Sequence, residues 1–202
     1  MNIFQKLATK PWTEASGFDD EITGWDTHPA KISLRLFLTV VGVFFALFCV
    51  TYYTRMLLDD WRPLNDPQIL IVNTILLIIG SIAFQGARWA ARDGKLNNLR
   101  ILLFAGGFFT IAFLVGQFAA WQQLNASGHY MVGGPATAFF FLFTGLHGLH
   151  MLGGLFVWAR ACMRLLKDSD VDDVRLSVEL CTVYWHFLLL VWLGLYVLLL
   201  NT

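Results

Sequence analysis

Charge is scarce in this sequence: only 14% of its 202 residues are Asp, Glu, Lys or Arg, where a soluble domain carries about 25%. Neither sign is in excess, because 14 basic residues balance 14 acidic ones. No basic surplus exists to grip a phosphate backbone, so nucleic acid is excluded as a partner. Cysteine is nearly absent as well. Cys49, Cys162 and Cys181 are odd in number, form no CxxC pair and fall inside apolar blocks. They read as small buried hydrophobes, not as disulfides, metal ligands or a redox centre. The first 33 residues, with Trp12 and Trp25 among mixed polar and charged neighbours, lack the layout of a cleavable signal peptide. The first spanning helix is therefore expected to act as the insertion signal and to stay in the mature protein.

What is present is hydrocarbon: 57% hydrophobic residues, with 18 Phe and 8 Trp. The apolar residues are gathered into blocks near or above the roughly 20 needed to cross about 30 Å of lipid. The chain reads as an all-α membrane protein, a bundle of five transmembrane helices. The expected spans are about Leu34–Met56, Pro67–Gly86, Leu99–Leu124, Ala136–Met163 and Leu176–Leu200. Asp66-Pro67 supplies a cap and first-turn proline for the second, and Asn97 and Asn98 are candidate caps for the third. Two segments follow: an N-terminal segment over 1–33 and a five-helix domain over 34–202. Connections are short, so sequential neighbours are expected to pack together, with no room for an extramembrane catalytic domain.

Lys and Arg set the orientation. The N-terminus and the loops around 88–100 and 160–175 hold 12 of them, and the opposite side holds only Arg55 and Arg62. The positive-inside rule then places the N-terminus in the cytoplasm and the C-terminus in the periplasm. Among those cytoplasmic cations, Asp168, Asp170, Asp172 and Asp173 read as a solvated turn or a docking site for a partner subunit. Arg88, Arg92, Lys95 and Arg100 could hold anionic lipid, although positive-inside placement alone would produce them.

Polar groups at bilayer depth are costly and draw attention. His147 and His150 share a face of helix four, and His186 lies at matching depth on helix five. Three imidazoles could ligate a metal or haem, yet no carboxylate or thiolate completes a site. Hydrogen bonds between helices, His147 to His186 or to a carbonyl, are the alternative. Glu179 is the one carboxylate clearly inside an apolar block, within reach of Arg88, Arg164, Arg175 or a lipid headgroup. With no acid in helices one to three, a proton path through this chain alone is unsupported. Gln117 with Trp121, and Asn73 with Thr74, are placed for cross-helix bonds. Ala112, Gly116 and Ala120, with Gly145, Gly148, Gly153 and Gly154, read as close-packing surfaces in preference to a cofactor crevice. Phe139, Phe140, Phe141 and Phe143 cannot all face one way, so some are expected to meet lipid or another protein.

Phe143-Thr144-Gly145-Leu146-His147-Gly148-Leu149-His150, Tyr184-Trp185-His186-Phe187 and Asn73-Thr74 resemble subunit III of the haem-copper terminal oxidases. The spacing of Glu179 to His186, and Gln117, add to the likeness, which extends over Lys31–Leu200. It implies the shorter, five-helix bacterial form, lodged in the inner membrane. The resemblance also implies a non-catalytic subunit with no haem or copper of its own. Such a subunit flanks subunit I, with subunit II and small subunits nearby, and holds phospholipid while the partner subunits carry haem and copper. The assembled complex reduces dioxygen to water with electrons from cytochrome c or quinol and pumps protons. Arg88, Asn73, Gln117, His147, His150, Glu179, Trp185 and His186 would be structural or lipid-near residues, none a catalytic ligand. Three positions depart from the family, Val41, Ala120 and Leu189, each standing where a carboxylate is usual. Their loss fits a scaffold or lipid-holding role and hints at a divergent branch such as the subunit III-like protein of nitric oxide reductase. A membrane transporter acting alone is the reading from another class, but no inverted repeat or broken helix supports it.

Overall fold

The computed structural model describes residues 29–59, 61, 68–126, 134–166 and 171–200, with backbone alone at 171–173. They form five helices: α1 (Pro29–Met56), α2 (Ile69–Arg92), α3 (Leu96–Ala126), α4 (Pro135–Leu166) and α5 (Val171–Leu200). All five are long and apolar enough to cross a membrane, and the shortest, 24 residues, spans about 36 Å at 1.5 Å per residue. The chain is an all-α, multi-pass membrane protein.

Most helices run further than the apolar blocks. α2 continues six residues past Gly86 because Ala87, Ala90 and Ala91 keep a buried face on the helix. It then ends in a tight turn at Gly94, with φ of 70°. Lys95 N–H donates to Ala90 O (3.0 Å) across that turn, the bond of a helix terminus closed by a left-handed glycine. α3 starts at once at Leu96, so Asn97 and Asn98 lie within its first turn and are not its caps. The expected caps Asp66-Pro67 lie outside the described residues, as do Lys167, Asp168 and Asp170.

Residues from Leu36 onward belong to one compact unit. Within it α2 packs on α3 and α5, and α4 on α5 and α3, so these four helices close a ring. Sequential neighbours therefore do meet from α2 to α5. α1 departs from that expectation, since it makes no comparably close backbone approach to a ring helix. It is held instead by large side chains. Phe45 and Tyr52 are buried on its inner side, and Tyr52 lies edge-on to Phe139 at 5.4 Å with Phe143 at 5.6 Å. Phe48 meets Phe143 in the same layer (6.2 Å). This cover buries Phe143 and part of Phe139, while Phe141 lies against Trp121 of α3, so the phenylalanine run faces outward less than expected. Phe140, Phe141 and Phe143 are buried and Phe139 is half-buried.

Small residues let the ring close. A Cβ on Gly116 would overlap Asn73 of α2, and one on Gly107 would overlap the Trp158 indole of α4. Trp158 thereby lies flat enough on α3 to donate Nε1–H to Leu103 O (2.9 Å). Gly107→Ala should push that indole away and lower the unfolding free energy of the detergent-solubilised protein by about 2 kcal/mol, a typical overpacking cost. Gly153→Ala, where an added Cβ meets nothing within 4 Å, should leave thermal unfolding unchanged; equal losses for both would refute the packing assignment.

Candidate functional site

The polar side chains at bilayer depth are used mainly to join helices. Thr74, Thr110 and Thr144 each donate their hydroxyl to the carbonyl four residues earlier, at 2.7–2.8 Å. That fixes the hydroxyl hydrogen and leaves the oxygen free to accept. Each then receives a tryptophan N–H from another helix: Trp192 Nε1 to Thr74 (3.0 Å), Trp185 Nε1 to Thr110 (2.8 Å) and Trp121 Nε1 to Thr144 (2.9 Å). Thr182 shares its one hydroxyl hydrogen between Val178 O of its own helix (2.8 Å) and Phe84 O of α2 (3.1 Å). Asn73 Nδ2 donates to Gln117 Oε1 at 3.2 Å. The expected involvement of Asn73, Thr74, Gln117 and Trp121 is thus seen. The partners of Trp192, Thr110 and Trp158 escaped sequence reasoning, because spacing along one helix carries no record of its rotation against the next.

The three histidines separate. His147 is fully buried in a cage of Trp192, Phe113 and Phe45, with ring centroids at 5.2, 5.8 and 6.5 Å. Neither of its nitrogens bonds to a described residue. The expected bond from His147 to His186 or a carbonyl is therefore not formed: His147 is enclosed by aromatic rings, whereas His186 is exposed on α5. His150 shares the Phe45 contact (5.7 Å), as the common face requires, and its Nδ1 lies 2.7 Å from Leu146 O. Tyr184 of α5 donates to His150 O (2.8 Å). His186 is exposed, with Nδ1 2.8 Å from Thr182 O. Among the described residues no three His, Cys, Asp or Glu are grouped to hold a metal. The cysteines are free, Cys162 and Cys181 buried and Cys49 half-buried.

Nearer the α2–α3 turn, Arg88 donates to Glu179 at 2.8 Å and joins α2 to α5. Both side chains are one quarter exposed, where water or headgroups screen the pair and its contribution is modest. Of the other two cations considered for Glu179, Arg164 donates to Ser177 (3.3 Å) and Arg175 is exposed.

Gly145 and Gly148 do not serve the tight packing expected of them. They floor a groove of about 310 Å3 between α3 and α4, lined mostly by apolar groups with Gln117, Trp121 and Thr144 among them. Gly154, by contrast, is a true close contact, since a Cβ there would meet Tyr184 at 2.6 Å.

Comparison with known proteins identifies this architecture. Residues 18–201 match the family model described as "Cytochrome c oxidase subunit III". The chain belongs to the cytochrome c oxidase subunit III family. It is 28% identical to "Cytochrome c oxidase subunit 3" of Corynebacterium diphtheriae, over 83% of this chain and 85% of that protein. Likeness to the subunit 3 of Mus musculus is 27% over 83% and 67% of the two chains, and to that of Synechocystis 26% over 88% and 78%. Family members are non-catalytic structural subunits of a haem-copper oxidase, and membership implies association with its other subunits. Val41, Ala120 and Leu189 enter the same apolar cluster, with Val41 and Ala120 buried and Leu189 packed against it.

His147 yields a test of the cage. A buried polar group without a partner costs about 1–3 kcal/mol, so His147→Leu should leave the thermal stability of the purified subunit unchanged or raised. His147→Ala should lower it by about 2–3 kcal/mol through the cavity left among the rings. A loss for the leucine variant as large as that for alanine would show that the nitrogens are bonded in the native protein.

Proposed function

We propose that this chain is the subunit III of a bacterial haem-copper terminal oxidase, a scaffold that stabilises subunit I and holds phospholipid beside it. The family match over 18–201 carries this reading. It is supported by the use of intramembrane polar groups as interhelical ties. The proposed site is the membrane-depth set Asn73, Arg88, Gln117, His147, His150, Glu179, Trp185 and His186, structural or lipid-near in role. Haem and copper belong to the partner subunits, and dioxygen reduction and proton pumping to the assembled complex. The α3–α4 groove supports lipid holding: its size falls at the lower end of ordinary ligand pockets, and its apolar lining suits an acyl chain. The 12-to-2 split of Lys and Arg supports an inner-membrane orientation with the N-terminus cytoplasmic and the C-terminus periplasmic. The domain reading remains a segment over 1–33 followed by the helical domain over 34–202.

Gentle solubilisation of native membranes and mass spectrometry of the intact complex should find this chain with a larger haem- and copper-bearing polypeptide and retained phospholipid. Haem and copper should both leave with the partner when the complex is dissociated. A partner bearing haem and non-haem iron would move the chain to nitric oxide reductase, and recovery of an active chain alone would overturn the proposal.

A further inference from the structure

His186 stands midway along α5, on a face left open by the rest of the bundle. Val183, His186, Leu190, Leu193, Val197 and Leu200 are all exposed, and their alternating spacing of three and four is the seam on which helices pair. Gly194 adjoins that seam, and a Cβ there would meet nothing within 4 Å. Such a small residue lets a neighbouring backbone come close. Spacing alone does not distinguish partner from lipid. The outward stripe of α3, Ile101, Phe104, Phe108, Ile111, Val115 and Phe118, repeats in the same way and is wholly apolar, so it asks for nothing that lipid tails lack.

The imidazole makes the difference. A carbonyl only accepts, so the 2.8 Å contact to Thr182 O fixes the hydrogen on Nδ1. A neutral ring then presents Nε2 as an acceptor, and among the described residues nothing donates to it. Acyl chains offer no donor, and an unmet acceptor in hydrocarbon costs several kcal/mol. We propose that the α5 seam is covered by a transmembrane helix of a different polypeptide, which donates a side-chain O–H or N–H to His186 Nε2. A single polar residue in an apolar seam also sets the register of the pair.

The inference rests on the accessory-subunit reading only in requiring a partner polypeptide, and the test separates the two. A benzophenone amino acid is placed at Leu190 or Val197, and at Phe108 on α3 as control, and native membranes are irradiated. Both α5 positions should yield an adduct with one heterologous polypeptide, and Phe108 should not. His186→Leu should lower the adduct yield about fivefold, the size of one interhelical hydrogen bond in a membrane, while His186→Gln restores part of it. Adducts to lipid alone, to a second copy of this chain, or equally from Phe108 would overturn the proposal. So would a His186→Leu yield equal to that of the wild type. If the captured polypeptide belongs to a complex that holds neither haem nor copper, the seam stands and the oxidase reading falls.

Discussion

An indole N–H in hydrocarbon must find an acceptor, and the bundle is arranged around that requirement. Trp158 finds one in the spare lone pair of a helical carbonyl, Leu103 O; at three other depths the acceptor is a hydroxyl. Threonine supplies it by returning its own hydrogen to the preceding turn and keeping its oxygen open. Three such relays join α2 to α5, α3 to α5 and α3 to α4. Each is worth little alone, since interhelical bonds in membranes average under about 1 kcal/mol. Their value is in fixing rotation: an indole reaches one hydroxyl at one orientation of two helices. Purely apolar helices in apolar solvent lack that discrimination.

The same constraint accounts for the two kinds of packing. Where tryptophan or asparagine must reach another helix, glycine faces it, as Gly107 faces Trp158 and Gly116 faces Asn73. α1 has a different task. It approaches through Phe45, Phe48 and Tyr52, whose bulk keeps its backbone away while sealing His150, Phe143 and Phe139 of α4. The ring is thus tied by directional bonds, and α1 is attached to it by an aromatic layer.

Much of this was legible in the sequence. Five spans follow from the length of apolar runs, because water and lipid sort residues strongly. Their ends did not follow, because Ala87, Ala90 and Ala91 are neutral to hydropathy and extend α2 only through what they bury. The pairing of Glu179 with Arg88 was among the stated choices, and so were the polar roles of Asn73 and Gln117. The fate of the histidines was not legible. His147, His150 and His186 look alike as midplane imidazoles, yet one is caged, one half-covered and one exposed. That outcome depends on helix rotation, to which a 3.6-residue period is blind until neighbours are known. Gly145 and Gly148 fail for a related reason: a missing side chain permits contact but does not supply the group that makes it.

The apolar residues at Val41, Ala120 and Leu189 can be understood within the same physics. An acid at Val41, Ala120 or Leu189 would stand in an apolar cluster, and the indoles Trp121 and Trp192 of that cluster are already bound to threonines. Its charge would need water or a cation that the apolar cluster around those positions does not supply. Valine, alanine and leucine make no such demand and add hydrocarbon contact. Glu179 sits where Arg88 can meet it and where both are partly exposed. This member therefore keeps its charge toward the end of the bundle where it can be compensated. Its interior is left to hold shape, which is the property a subunit without chemistry of its own contributes to a larger assembly.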